Sequence, residues 1–432
     1  MASNGGQDLF ELALLVADME AIAGVKLYRS GHRLRGSCPL CKASPKRKDG
    51  GAFSVDPVKK TWKCWGCDVR GGDAVDLEHR LHSRLDQTLR DAAIRIVGED
   101  PASIDVKKAR AEREALARQA DADNERTRLW KAAMALSLWR DALPAAGTPV
   151  ETYLRGRGIS GRPLAEALKQ VRYHPAAYHS GPIANPVTAP AMIGLLMTPF
   201  GPTGGVHATY LSADGKTKTH LDPQRRKWGP PGRMDDHGVV HPGGVWLTPP
   251  TSKGPLVCGE GIETTLSAAC EIGIPVRAVA ALDLDALQGG LQPDSRGRHD
   301  LRNLQRNPLL PAFTWPEPAE APWGSPMICL DRDMTPIKIR TNGQDDEAVE
   351  EVLDADMRAM LCAVLASAAW IEAGARWVSP IAPCSAGWDF NDQRQARLAG
   401  LLGDRPGVIE VGLLPDFHTA ARGDRRLGLR TG

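Results

Sequence analysis

PLVCGEGIETTLSAACEIGIPVRAVA, residues 255–280, decides the fold of the C-terminal half. It opens with a short apolar run at 255–259, turns at Glu260-Gly261, and continues as the helical run TTLSAACEIG. A second apolar run follows at 276–281 and a third at 326–330. Short, largely apolar runs separated by a helical segment are the pattern of buried parallel strands, and predict an α/β domain with a mainly parallel sheet. In such sheets functional groups collect where the strands end. Glu260 stands at the end of the first run. Asp331 and Asp333 follow MICL as Asp-x-Asp, and GWDFND adds Asp389 or Asp392. A lone Glu-Gly or Asp-x-Asp is as readily a helix cap or a solvated loop. Several acids at successive strand ends repel one another unless a cation lies among them, and Mg²⁺ with phosphate oxygens is the common resolution.

Working outward, residues 289–325 are rich in Pro, Gly and Arg and read as a long loop. The span 351–373 reads as an Ala-rich helix, WVSPIAP as a last strand, and the tail from 416 as basic and Gly-rich. Upstream, 229–254 is a Gly/Pro-rich linker or loop. AMIGLLMTPF and GVHATYLS, separated by GPTGG, predict a hairpin within 190–222. Helical periodicity marks 129–142 and 149–155, and 103–129 reads as a solvated helical connector. Residues 73–97 predict a helix capped by Asp73, with Val75, Leu77, Leu81, Leu85 and Leu89 on its buried side. Residues 7–21 predict an amphipathic helix.

Between those two helices, Cys38-Pro-Leu-Cys41 and Cys64-Trp-Gly-Cys67 form a pair of C-x-x-C knuckles. Four thiolates at this spacing suit tetrahedral, structural Zn²⁺, whereas a redox dithiol would not need two matched knuckles. The shell is complete without His32, which reads as a surface or outer histidine. GAFSVDPVKKTWKCWGC predicts a hairpin turning at Asp56-Pro57. Lys46, Arg47, Lys48, Lys59, Lys60, Lys63 and Arg70 surround it, as candidate contacts to nucleic acid. Trp62 and Trp65 suit two roles equally, stacking on bases or filling a small core.

The chain has 432 residues, enough for two to four domains, and its apolar fraction of 42% excludes wholesale disorder. A net charge of +2 speaks against coating a long duplex by charge alone, yet basic and acidic runs are segregated along the sequence. The start MASNGGQDLFELAL lacks the features of a signal peptide, and no run of 18 apolar residues suggests a membrane span. The nine cysteines are not a secreted disulfide framework. Cys258, Cys270, Cys329, Cys362 and Cys384 read as reduced core residues, and a cytoplasmic setting is expected.

With these motifs in place, the chain resembles the bacterial and phage (DnaG-type) primases over roughly 30–85 and 148–395. SCPLCKASPKRKDGGAFSVDPVKKTWKCWGCDVRGGDAVDL is similar to their zinc-binding module; common members have a histidine ligand where this chain has cysteine. ETYLRGRGIS with VRYHP resembles the opening of the catalytic core. IGLLMTPFGPTGGVHATYLSADGKTKTHL resembles its basic subdomain. That resemblance makes Lys216, Lys218, Arg225, Arg226 and Lys227 candidates for gripping nucleotide or template, with Arg155 and Arg157 on the same surface. LVCGEGIETTLSAA, ICLDRD and WDFND resemble the toprim motifs. They imply Glu260, Asp331, Asp333 and Asp389 as catalytic ligands of Mg²⁺ or Mn²⁺, with Asp392 as second choice. Where the family often has an aspartate four residues after the glutamate, this chain has Thr264, with Glu263 one place earlier as either a substitute ligand or an ordinary helix residue.

The resemblance implies a multidomain protein. It comprises a zinc ribbon with a small antiparallel sheet (1–97), a charged helical linker (98–135), a basic α+β primase core subdomain (136–250), an α/β toprim domain (251–400) and an extension (401–432). The implied activity is synthesis of short RNA primers on single-stranded DNA from nucleoside triphosphates, beside a separate replicative helicase. A toprim-type nuclease and a non-catalytic nucleic-acid-binding replication protein are the alternatives. The long 286–325 loop and the shifted Glu263 indicate a phage or mobile-element variant.

Overall fold

The computed structural model describes residues 9–30, 33–41, 52–64, 71–82, 88–98, 104–294, 298–317, 322, 324–342, 347–403 and 408–410. The chain divides into two units, Met1–Leu129 and Trp130–Gly432. In the first, α1 (Leu9–Val16) and α2 (Met19–Ala23) replace the single helix expected over 7–21. The Asp18 carboxylate accepts from the N–H groups of Glu20 and Ala21, an N-cap that starts a new helix at the point where one was expected to continue.

Strands β1 (Tyr28–Ser30), β2 (Arg33–Gly36), β3 (Phe53–Asp56) and β4 (Thr61–Cys64) then form an antiparallel sheet in sequential order. The β3–β4 turn is the one expected at Asp56-Pro57, with the Asp56 side chain accepting from the N–H groups of Val58 and Lys59. Phe53, Val55, Trp62, Ala74 and Leu77 make the core. A Cβ on Gly71 would lie 1.4 Å from the Trp62 carbonyl oxygen, so only glycine lets the returning chain bond Gly72 O to the Trp62 N–H.

Asp73 caps α3 (Ala74–Leu81) as expected, but the helix does not run to 97. Thr88 and Asp91 form a capping box that opens a separate α4 (Leu89–Val97). Val75 and Leu77 are buried; Leu89, expected on the buried side, is exposed at the first position of α4, and Leu85 lies outside the described residues. The expected connector and the helix after it are one element, α5 (Val106–Arg140). Its Ala/Glu/Arg-rich sequence contains no breaker and carries local ion pairs such as Glu125–Arg128. The division between the units falls inside this helix.

The second unit runs β5 (Leu143–Pro144), α6 (Pro149–Gly156), α7 (Gly161–Gln170), β6 (Arg172–Ser180), β7 (Val187–Thr198), β8 (Gly201–Tyr210) and β9 (Arg225–Trp228). After β10 (Gly232–Met234), β11 (Val240–Pro242) and β12 (Gly244–Trp246) come β13 (Leu256–Gly259), α8 (Ile262–Ile272), β14 (Arg277–Ala280) and α9 (Leu284–Gln288). The remainder is β15 (Gly290–Leu291), β16 (Arg306–Asn307), β17 (Met327–Cys329), β18 (Ile337–Asn342), β19 (Ala348–Leu353), α10 (Ala355–Glu372), β20 (Ser379–Pro383), α11 (Phe390–Leu398) and β21 (Val408–Glu410).

One sheet carries this unit, in the order β21-β20-β17-β13-β14-β12-β7-β6-β5, with β8 pairing β7 and β9. The hairpin read at 190–222 is β7–β8, and the three apolar runs are β13, β14 and β17, parallel as expected. The 229–254 segment is more than a linker. Its β12 pairs with β7 on one side and β14 on the other, so residues 136–250 and 251–400 share a continuous sheet within one unit. Apolar packing covers both faces. Trp370, Phe313 and Cys362 belong to the cluster with α10, and Tyr153, Leu154 and Leu266 to the cluster with α6 and α8. This two-sided burial is why β13 and β14 are apolar at nearly every position instead of alternating. The described residues of the 289–325 segment are loop apart from the short β15–β16 pair. No helix among the described residues is long and apolar enough to cross a membrane.

Candidate functional site

The adjacent parallel strands β20, β17 and β13 each lead to acid at the carboxyl edge of the sheet. Glu260 follows β13 directly, Asp331 and Asp333 follow β17, and Asp389 lies in the turn between β20 and α11, where it caps that helix. All four line a cleft of about 370 Å³ with Asp392, Glu263, Arg157, Lys218, Arg225 and Arg358. Gly259 keeps this strand end tight: a Cβ there would stand 2.6 Å from Thr265 Oγ1 and 3.2 Å from Cys329 Cβ.

The residue between the two aspartates fixes their direction. Arg332 is buried and donates to both carboxylate oxygens of Asp356, at 2.9 and 3.1 Å, and to the carbonyl of Pro383. Its N–H reaches Trp388 O at 2.9 Å, and its carbonyl accepts from Gly387 N at 3.0 Å. The Asp-x-Asp segment is thereby tied to α10 and to the WDFND turn, leaving Asp331 and Asp333 on the cleft side.

Six carboxylates and four cationic side chains line the cleft. Burial pushes Glu260 above the ordinary glutamate range, helped by the charges of Asp283 and Asp333. Burial raises Asp331 well above the usual aspartate value, with Asp389, Glu260 and Asp333 adding to it. Asp389 is raised chiefly by burial as well, and its neighbour Asp392 adds to the effect. Asp331 Oδ1 is buried and has no hydrogen-bond partner among the described residues. An orphaned carboxylate oxygen among mutually repelling acids, with oxygen donors only, fits a hard divalent cation. The fit is an open one. Among the described residues the three cysteines are the group of candidate ligands whose atoms all close to within 4.8 Å of one another, and no three of the cleft acids do so. A hydrated cation such as Mg²⁺, which retains waters, suits such spacing.

Among the basic residues singled out from sequence, Lys218, Arg225 and Arg157 reach this cleft. Lys227 pairs with Asp283 outside its lining, Arg226 stacks toward Trp228 at 5.8 Å, and Lys216 lies 3.7 Å from Asp214 on the surface. Arg155 pairs with Glu151 one turn away on α6. Strand alternation separates Arg225 from Arg226, which a basic run cannot reveal by composition. Glu263 is buried, and its Oε1 accepts from Tyr153 Oη at 2.6 Å and Lys218 Nζ at 2.9 Å. Burial works against its charge, but Lys218, Tyr153 and Arg225 outweigh that and hold it down at about 2.

Sequence reading missed Arg358 and Asn391. Arg358 lies on the first turn of α10, donating to Thr335 O. Asn391 accepts from Arg157 Nη1 at 3.1 Å and donates to Arg157 O at 2.8 Å. A lone arginine at the start of an Ala-rich helix was the available signal for the first.

In the first unit, Cys38, Cys41 and Cys64 bring their sulfurs within 4.8 Å of one another, with Cys41 and Cys64 at 3.8 Å. Cys67, the fourth expected ligand, lies outside the described residues, as do His32, Lys46, Arg47, Lys48, Trp65 and Arg70. Burial pushes the Cys38 thiol up to about 11, the reverse of what a buried thiolate needs and what a bound cation corrects. Three convergent sulfurs therefore form a metal-binding cluster, and soft ligands of this kind favour Zn²⁺. Trp62 is 3% exposed and packs on Phe53 with ring centres 5.8 Å apart, so its role is in the core and not in base stacking. Lys60 is similarly occupied: its ammonium donates to Ala17 O at 2.7 Å, while Lys59 and Lys63 are exposed.

Residues 130–236 match a family model described as a domain of unknown function (DUF7146). No curated protein matches the chain. Among solved structures, the zinc-binding and RNA polymerase domains of the Aquifex aeolicus primase align at 15% identity over 92% of this chain and 86% of that one, with a TM-score of 0.30. The chain is thus weakly similar, at low identity, to a bacterial primase.

Proposed function

We propose that this chain is a nucleic-acid enzyme that joins nucleotides into short primers on single-stranded DNA. What carries the reading is the cleft: acids at the ends of three adjacent parallel strands, one with an orphaned buried oxygen, faced by Arg157, Lys218, Arg225 and Arg358. This is a charge pattern for a polyanion bound through a cation. Glu260, Asp331, Asp333 and Asp389 are the residues to hold Mg²⁺ or Mn²⁺. When bound, such an ion polarises phosphoryl oxygens and lowers the cost of ionising an attacking hydroxyl.

The rest of the work falls to the chain's own groups. Lys218 and Arg225 offer charge to triphosphate oxygens, and Arg358 faces the Asp-x-Asp side. The rigid anchoring of Arg332 keeps the two aspartates from turning away. Nothing here requires a protein nucleophile, since positioning and charge stabilisation carry such a transfer. The cysteine cluster, distinct in chemistry from the acids, serves as the structural centre of a template-binding module in which Lys59 and Lys63 remain candidate DNA contacts.

The test is primer synthesis on mixed-sequence single-stranded DNA with labelled nucleotides and Mg²⁺ or Mn²⁺, comparing the wild type with Asp331→Ala. Short products lost by roughly 10²- to 10³-fold in the variant are expected, the scale of removing a preorganised electrostatic group. Metal-dependent degradation of the template without added nucleotides would replace this reading with a nuclease. DNA binding with neither product nor degradation would replace it with a binding protein.

A further inference from the structure

We infer that Glu263 is not a cation ligand but the anchor that positions Lys218 against a substrate phosphate, an inference that rests on the reading of the cleft as a nucleotide site. Glu263 lies on the first turn of α8, three residues past Glu260, where proximity alone would suggest a shared ion. The contacts place it in another network. Its Oε1 takes two hydrogen bonds from outside α8, from Tyr153 Oη on α6 at 2.6 Å and from Lys218 Nζ, in the segment between β8 and β9, at 2.9 Å. Both charged partners are largely buried, with side chains 14% exposed for Lys218 and 8% for Glu263. Arg157 joins through Tyr153 Oη at 3.4 Å and places its guanidinium in the same cleft. Tyr153 is 1% exposed, so the network has a fixed back wall.

Oε1 is already filled by a phenol proton and an ammonium, and the positive charge of that ammonium repels a divalent cation from either oxygen of the carboxylate. Asp331, whose Oδ1 has no such partner, is the contrasting case. The ammonium has three N–H donors, and the bond to Glu263 takes one of them. The others can meet phosphate oxygens from a fixed origin. A lysine on an irregular segment would otherwise give up much of its rotamer freedom on binding, so holding it in advance lowers that cost.

The test uses the full chain and two binding readouts beside activity: Mn²⁺ affinity by electron paramagnetic resonance titration, and affinity for a fluorescent nucleoside triphosphate. Glu263→Gln, Lys218→Met, the double variant and Tyr153→Phe are compared, Gln being close in shape to Glu so that folding is retained. Mn²⁺ affinity is expected to stay within about twofold of wild type in all four. Triphosphate affinity should fall roughly tenfold in Glu263→Gln and in Lys218→Met, the scale of one charge-assisted hydrogen bond. The double variant should be no weaker than Lys218→Met, because the two residues act as one unit. Tyr153→Phe should lose a smaller part of the same affinity. A Glu263→Gln protein whose Mn²⁺ affinity drops tenfold or more overturns the inference, as do losses that multiply in the double variant. If the wild type makes no primers yet binds Mn²⁺ and triphosphate, primer synthesis fails as the function and the binding data alone decide the role of Glu263.

Discussion

The chain holds two clusters of metal-ligand type built on opposite plans. In the first unit, three sulfurs converge within 4.8 Å beside a four-stranded sheet whose buried cluster, with Met19, Leu27, Phe53, Val55, Trp62 and Leu77 among its members, is smaller than either cluster on the second unit's sheet. In the second, carboxylates are spread along the edge of an eleven-stranded sheet with large apolar clusters on both faces. The first has chemistry but little fold to support it; the second has ample fold and spare charge. A closed soft-ligand centre adds to folding, whereas an open cluster of acids draws on stability supplied elsewhere.

That contrast is tested most severely at the sulfurs. Stripping the metal with a chelator, or replacing Cys64 by Ala, should unfold the first unit, since structural zinc contributes on the order of 10 kcal/mol. Limited proteolysis of the full chain should then cut within residues 1–129 while the second unit's melting transition is unchanged; coincident loss of both would break the contrast.

A smaller effect is expected behind the acids. Replacing Arg332 by Met leaves Asp356 without its partner and frees the Asp-x-Asp segment, at a cost of about 3 kcal/mol. The second unit's denaturation midpoint should fall, and metal affinity should fall with it. A variant that loses metal affinity with no loss of stability would show that the arginine acts on the cleft alone.

The smallest effect has the opposite sign. The folded-state pKa of Asp331 lies well above its unfolded value, so the folded chain binds that proton more tightly. This contribution is complete below the unfolded pKa of about 4 and is lost as pH rises through the folded value. In the metal-free protein this contribution should therefore shrink on going from acid to neutral pH, read as the difference between the wild type and Asp331→Asn, and Mg²⁺ should flatten that difference. Asp331→Asn should stabilise the metal-free second unit by roughly 1–2 kcal/mol at pH 8 while abolishing activity. A destabilised Asn variant in thermal melts would refute the picture of stored repulsion.

What could be read from sequence follows the same physical division. The α/β half was legible because strands buried on both faces are mostly apolar, so β13, β14 and β17 stand out as short apolar runs, β13 and β17 with acids directly after them. The β3–β4 hairpin was legible from Asp56-Pro57. Breaks within helices were not: Asp18 and Thr88 are cap residues, but the flanking apolar spacing suits one helix or two, and only the side-chain bonds decide. β12 was hidden because its three residues lie among glycines and prolines, and pairing with β7 and β14 makes it a strand. The cleft acids were readable as a set, while the direction of each neighbouring cation was not. Arg225 and Arg226 differ by one step of strand alternation, Lys60 is spent on a carbonyl 43 residues away in sequence, and Glu263 answers to a tyrosine 110 positions earlier.

The β18–β19 ribbon leaves the chain just after Asp333 and returns just before α10, and the Arg332–Asp356 pair closes its base. An insert hung from a pinned base can change in length, sequence or cargo without moving what lies beneath the pin. The two strands of this ribbon are thus a natural place for change, where evolution or an experimenter can alter exposed positions such as Arg340 and Glu350 without rebuilding the acids.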